Sequence, residues 1–143
     1  MFSTRVSEIM DSGKLLLAGP QTTVREAAKS MAARGVGAVL VVEDDRLLGI
    51  FTERDVVFRV VACGRDSTET RIGEVMTADP KTIAPDKSFG LAMLLMHENG
   101  FRHLPVVEKD VPIGIVSSRS GLDPDLEEFV SEERRRKYLE ELR

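Results

Sequence analysis

The chain has 143 residues, of which 42% are hydrophobic and 31% charged, with 20 Lys and Arg against 24 Asp and Glu for a formal net charge of −4. That size fits one compact unit rather than separate cofactor and substrate lobes, the composition excludes a disordered or collagen-like chain, and the acidic balance argues against bulk nucleic-acid binding. The single cysteine, Cys63, excludes an internal disulfide and a cysteine-rich zinc site and fits a reducing compartment. No run approaches the roughly 18 consecutive apolar residues of a membrane span, and Met1-Phe2-Ser3-Thr4-Arg5 lacks the pattern of a signal peptide, so a cytoplasmic location without a membrane anchor is expected.

In chain order, Thr4-Arg5-Val6-Ser7-Glu8-Ile9-Met10 is a leading segment, and Leu15-Leu16-Leu17-Ala18 is a short apolar stretch running into Pro20. Thr22 or Thr23 then caps a predicted helix on which Val24, Ala27, Ala28, Met31 and Ala32 follow the i, i+3, i+4, i+7 spacing of one buried face. Gly35 ends it as a left-handed cap. Two β-rich runs, 38–42 and 47–51, flank Asp44-Asp45, which reads as a hairpin turn rather than a catalytic carboxylate pair. A second helix carries Val56, Val57, Val60 and Val61, with Cys63 expected as a small core residue and Gly64 as the stop.

The pattern then repeats. Pro20, Ala27, Met31, Gly35, Val41, Val42, Glu43, Asp45, Gly49, Ile50 and Arg54 recur 65 residues later, giving 11 identities over 36 aligned positions. Chance would give roughly two or three. The leading segment recurs as Thr70-Arg71-Ile72-Gly73-Glu74-Val75-Met76 at an offset of 66. In the second copy Lys81-Thr82-Ile83-Ala84 is the short stretch, Ser88 the cap, Leu91, Ala92, Leu95 and Met96 the buried face, and Gly100 the stop, before the runs 104–107 and 112–116. Each unit is β-α-β-β-α and too small to close its own core, which predicts an α+β fold whose repeats, 1–66 and 67–122, pack against each other. Residues 123–143 form a charged C-terminal helix with two narrow stripes, Leu126, Phe129, Val130 and Tyr138, Leu139, Leu142. Pairs Glu132/Arg136, Glu133/Lys137 and Lys137/Glu141 at i, i+4 make Arg134-Arg135-Arg136-Lys137 a solvated face rather than an RNA site, and the helix is expected to dock a partner.

The segment Gly49-Ile50-Phe51-Thr52-Glu53-Arg54-Asp55 fits the Gly-h-x-Thr/Ser-x-x-Asp/Asn pattern of CBS domains, the cystathionine-β-synthase-type regulatory module, and Arg102-His103-Leu104-Pro105-Val106-Val107 resembles their second-strand signature. With Glu8-Ile9-Met10 and Glu74-Val75-Met76-Thr77, the resemblance covers residues 4 to 122 as a pseudo-two-fold pair. It implies two clefts between the sheets, often holding adenosine-containing nucleotides, frequent dimers, and a sensor rather than a catalyst. Carried over position by position, Ile50, Thr52 and Asp55 combine with Thr82, Ile83, Arg102, His103 and Pro105 in one nucleotide-binding cleft.

The residue types suit such a ligand. Thr52 lies where a helix begins and suits an anion, while the Asp55 carboxylate suits a ribose diol; Thr-x-x-Asp is equally the spacing of a helix capping box. Arg102 brings permanent charge and His103 a titratable one, or else a strand residue bonded to backbone. In the related cleft, Gly114-Ile115-Val116-Ser117-Ser118-Arg119-Ser120 places Ser120 where the aspartate belongs, and Gly37 and Ala38 match Arg102 and His103, so a nucleotide there is expected to bind weakly. His97 suits a polar helix surface, and no phosphate-binding glycine loop, nucleophile elbow or metal-ligand cluster is present, so no enzyme and no metal is expected. The expectation is a regulatory module for an AMP, ADP or ATP-type ligand, with no required cofactor and an unknown protein target. The other reading is a ligand-independent dimerisation module with vestigial clefts. A homodimer through the Val56, Val57, Val60 and Val61 helix is expected, unless those valines complete the core.

Overall fold

The computed structural model describes residues 2–13, 15–120 and 123–142. The first half runs α1 (Val6–Ile9), β1 (Leu17–Ala18), α2 (Val24–Arg34), β2 (Ala38–Glu43), β3 (Arg46–Thr52) and a helical segment that begins as α3 (Glu53–Asp55) and continues as a π-helix (Val56–Val61). The second half runs α4 (Ile72–Val75), β4 (Thr77–Ala78), α5 (Phe89–Asn99), β5 (His103–Glu108) and β6 (Val111–Ser117), followed by α6 (Asp123–Glu141).

Both main helices start and stop on the residues the sequence offers for it. The Thr23 hydroxyl accepts the Glu26 amide at 3.1 Å to cap α2, and Gly35 closes it at φ 65°. Ser88 accepts the Leu91 amide at 3.2 Å, and Gly100 closes α5 at φ 70°. The β2–β3 hairpin turns through Asp44 and Asp45 and the β5–β6 hairpin through Lys109 and Asp110, all four at positive φ. Two consecutive left-handed residues match the twist of the flanking strands, and aspartate tolerates that region better than most side chains.

The buried faces differ in detail from the expected ones. On α2, Val24, Ala27 and Met31 are buried, whereas Ala28 is half-buried and Ala32 exposed. On α5, Phe89 takes the core place expected of Leu91, because 89, 92 and 96 are as well spaced on a helix as 91, 92, 95 and 96, and the larger ring fills the space beside Val6. The expected valine stripe divides: Val60 is buried and Val56 half-buried, while Val57, Phe58 and Val61 are 54%, 59% and 69% exposed. Cys63 is exposed rather than in the core, since the helix ends at Val61 and the thiol falls in the closing turn, donating to the Phe58 carbonyl at 3.4 Å. Lys81-Thr82-Ile83-Ala84 forms no strand, only a parallel bridge from Ile83 to Val106. On α6, Phe129, Tyr138, Leu139 and Leu142 are exposed, the Leu126 and Val130 side chains lie outside the described residues, and Glu133 pairs with Arg136 at 3.3 Å, one residue closer than the expected i, i+4 spacing.

The leading segments change places. A sheet of order β1-β2-β3-β4 places β4, from the second repeat, antiparallel to β3 of the first, with Gly49 opposite Ala78 and Ile50 opposite Thr77. Ile72 and Val75 of α4 lie in the core built around Val24, Met31, Val39, Phe51 and Val60, and the Ile72 amide donates to Thr22 at 2.8 Å. Reciprocally, Val6 of α1 lies in the core of Phe89, Ala92, Met96, Leu104, Val106 and Val116, and the Val6 amide donates to Lys87 at 2.8 Å. Glycine leaves room where each borrowed segment crosses a strand. A Cβ at Gly49 would collide with the Met76 sulfur and lie 2.8 Å from the Thr77 carbonyl oxygen, and one at Gly114 would lie 2.6 Å from the Met10 sulfur. A third cluster, Ala38, Leu40 and Ile50 with Ile115 packed on it, joins the two halves.

Candidate functional site

Strand β3 delivers Thr52 to the edge of a cavity of about 860 Å³, and the chain turns there into α3. The Thr52 amide donates to Asp55 Oδ2 at 2.8 Å and the Thr52 hydroxyl donates to the same oxygen at 3.3 Å. The capping box is therefore formed. Asp55 is nonetheless also a wall of the cavity, and its second oxygen, Oδ1, meets Arg59 Nε at 3.4 Å.

Of the eight residues expected together, Ile50, Thr52, Asp55, Arg102 and His103 line this cavity. Thr82 is exposed outside it, Ile83 is buried in the second core, and Pro105 is buried with its carbonyl accepting the Ile83 amide at 3.0 Å. Pro80 and Lys81 line the cavity in their stead, together with Thr77 and Asp79 from the exchanged segment. Arg59, Phe58 and Phe101 also belong to the wall and were not singled out for it from the sequence. Arg59 was readable there as the i, i+4 partner of Asp55. At the mouth the Arg54 guanidinium donates to the Gly100 carbonyl at 3.2 Å and lies 5.6 Å above the Phe58 ring, a cation–π distance.

Burial holds the His103 imidazole below its ordinary pKa of 6.5, the Glu53 carboxylate opposes that, and Arg102 adds to it. Burial thus disfavours the imidazolium, and an anion brought near the ring would favour it. Arg102 itself is exposed at the start of β5, with its carbonyl accepting the Ser118 amide at 2.9 Å.

A second cavity of about 1220 Å³ lies across the pseudo-two-fold relation. Ser120 Oγ accepts the Ser117 amide at 2.9 Å, so the cap is reproduced with a hydroxyl in place of a carboxylate. At Gly37, the counterpart of Arg102, a Cβ would lie 2.7 Å from a Glu53 carboxylate oxygen. Ala28 and Ala32, which were expected in the core, line this cavity because the cleft opens beside α2. Glu53, Val57, Arg102 and His103 line both cavities and form the wall between them.

The family profile described as CBS domain matches residues 6–62 and 72–122, the two stretches that hold the duplicated hairpins and the exchanged leading helices. The chain belongs to the CBS domain family. It is similar to the CBS domain-containing protein CBSX3, mitochondrial, of Arabidopsis thaliana, with 39% identity over 80% of this chain and 61% of that protein. It is similar also to the Meiotically up-regulated gene 70 protein of Schizosaccharomyces pombe, with 42% identity over 78% of this chain and only 16% of that one. The chain thus spans less than two thirds of either relative. Among solved structures, a putative signal-transduction protein with CBS domains from Burkholderia ambifaria superposes with a TM-score of 0.74 at 40% identity, covering 80% of this chain and 88% of that one.

Within this CBS pair the glycine of each Gly-h-x-Thr/Ser motif serves packing of the borrowed segment, as the contacts at Gly49 and Gly114 show. The matching family is a regulatory one, and no catalytic family is indicated. No group of three or more His, Cys, Asp or Glu side chains among the described residues is placed to hold a metal ion, and no helix among them is long and apolar enough to cross a membrane.

Proposed function

We propose that this CBS pair is a non-catalytic sensor that takes an adenosine nucleotide of AMP, ADP or ATP type into its first cleft and passes its occupancy to a protein partner in the cytoplasm. The observation that carries this reading is the meeting, in one cavity, of the Asp55 carboxylate from the first repeat with Lys81, Arg102 and His103 from the second. A carboxylate accepts both hydroxyls of a ribose diol, and the cations opposite match a phosphate. The cavity volume lies within the usual range for small-molecule sites, about 300–1,000 Å³. In this reading Ile50 and Phe101 flank the base and Thr52 orients Asp55, while Thr82, Ile83 and Pro105 shape the backbone behind the phosphate side. The repeats 1–66 and 67–122 respond as one body because each core contains the other's leading helix.

A second copy covers the exposed Val57, Phe58 and Val61 in this reading, so light scattering is expected to give twice the chain mass. A calorimetric screen of AMP, ADP, ATP, S-adenosylmethionine and NADH tests the ligand class, with AMP, ADP or ATP expected to bind. One observation favours the ligand-independent scaffold instead: Asp55 and Ser120 both already serve as caps. Heatless titrations with all five compounds, alongside an intact dimer, would decide for it.

A further inference from the structure

Arg59 is the side chain that joins the proposed diol acceptor to the exchanged segment. It projects from the π-helical turn, and while its Nε faces Asp55 Oδ1 at 3.4 Å, its Nη1 donates to the carbonyls of Val75 at 3.2 Å and Met76 at 3.0 Å. Those carbonyls close α4, where the helix has no further amide to offer them. Met76 packs against Gly49, and the chain beyond it, Thr77 to Lys81, forms one wall of the first cleft. One planar guanidinium therefore spans the acid and the wall, a reach that its fixed fork of donors permits.

The same acid is the one a ribose diol would use. Asp55 Oδ2 already receives the Thr52 amide and hydroxyl, so the oxygen left for a ligand is Oδ1, where Arg59 sits. Resting on the nucleotide reading above, we propose that Arg59 is a positioning residue that makes the cleft ligand-responsive: it ties Asp55 to the α4 carbonyls in the free protein, and a diol on Asp55 displaces it. The π-helix gives this displacement somewhere to go. Its wide turns, marked by the bond from the Ala62 amide to the Val57 carbonyl at 2.9 Å, occur often at functional sites, and the same turns carry the exposed Val57, Phe58 and Val61. Release of Arg59 unties that apolar face from the second repeat's leading segment, which converts occupancy of the cleft into a change at the face that the second copy covers.

The test uses adenosine, which has the diol but no phosphate, titrated into the full chain and into Arg59→Gln and Arg59→Lys, with amide hydrogen exchange of residues 72–78 measured with and without adenosine. Arg59→Gln removes the competitor, so adenosine is expected to bind about threefold to tenfold more tightly, by the loss of one charge-assisted hydrogen bond opposing it. In the unliganded variant residues 72–78 are expected to exchange as fast as in the adenosine-bound wild type. Arg59→Lys, whose single ammonium cannot hold both ends at once, is expected to fall between. Equal or weaker adenosine binding by Arg59→Gln, or wild-type exchange at 72–78 that adenosine leaves unchanged, overturns the proposal. The wild-type comparison needs no variant to fold. Failure of the wild type to bind adenosine and AMP alike overturns the nucleotide reading itself, failure of adenosine where AMP binds overturns displacement by the diol, and unliganded Arg59→Gln exchanging at the wild-type rate overturns the tether alone.

Discussion

The two clefts of this CBS pair repeat one strand-end turn and differ at matched side chains: Asp55 against Ser120, Arg102 against Gly37, His103 against Ala38, and Glu53 against Ser118. What they share is what the fold needs. Both strands end in a cap accepted by the residue three positions on, both hairpins turn through two left-handed residues, and both glycines let a borrowed methionine cross. Ser120 shows that a hydroxyl is enough for the cap. A buried carboxylate at Asp55 is therefore more than the turn requires, and that excess is the chemistry the proposed ligand would use.

The sharpest way to break that comparison is Asp55→Ser, which installs the cap found at Ser120 and removes only the carboxylate. AMP affinity is expected to fall about tenfold to a hundredfold, the value of a charge-assisted hydrogen bond, with little change in melting temperature. Calorimetry and a thermal melt on the same sample check both halves, and unchanged affinity would return Asp55 to a purely structural role.

The glycines sharpen the structural half. At Gly49 the added Cβ meets the Thr77 backbone oxygen at 2.8 Å as well as the Met76 sulfur, whereas at Gly114 all three close atoms belong to the flexible Met10 side chain. Gly49→Ala is expected to cost about 1–3 kcal/mol in stability, and Gly114→Ala less than about 1 kcal/mol. Urea denaturation of the two variants measures the difference, and equal losses would mean that the two crossings are equally tight.

These contacts also mark how far the sequence could be read. Signals written twice at one offset, such as Gly35 with Gly100 and Thr23 with Ser88, located helices, caps and hairpins, because local chemistry decides them. Exchange of the leading segments was not legible, since Val6 and Ile72 look alike in both copies and only three-dimensional packing says which core each enters. For the site, Ile50, Thr52, Asp55, Arg102 and His103 meet because strand ends place them, whereas the turn of 81–84 depends on Ile83 reaching the second core, which leaves Lys81 rather than Ile83 at the cavity. Val57 and Val61 differ from Val60 in burial because the π-helix alters the face that an α-helical spacing predicts.

The smallest expected effect belongs to His103, the residue whose counterpart is Ala38. Burial keeps its pKa below 6.5 in the free protein, so a phosphate dianion that favours the imidazolium makes binding take up a proton. AMP affinity is then expected to fall a few-fold as pH rises from about 6.5 to 8, with adenosine flat across that range and His103→Ala losing the slope. The unliganded fold is expected to show the opposite sign. A depressed histidine pKa contributes stability that is present above 6.5 and is lost as pH falls through the lower folded value, so His103→Ala should flatten the stability profile below 6.5.

The claim that one cleft of the pair carries the ligand chemistry is tested most directly by the stoichiometry of AMP binding to the wild-type chain. A calorimetric titration is expected to give one strong site per chain, because the first cavity adds Asp55 and Lys81 to the Arg102 and His103 wall that both cavities share, while Ser120 stands at the position of the acid in the other. Two sites of equal strength per chain, or no binding at all, would contradict it.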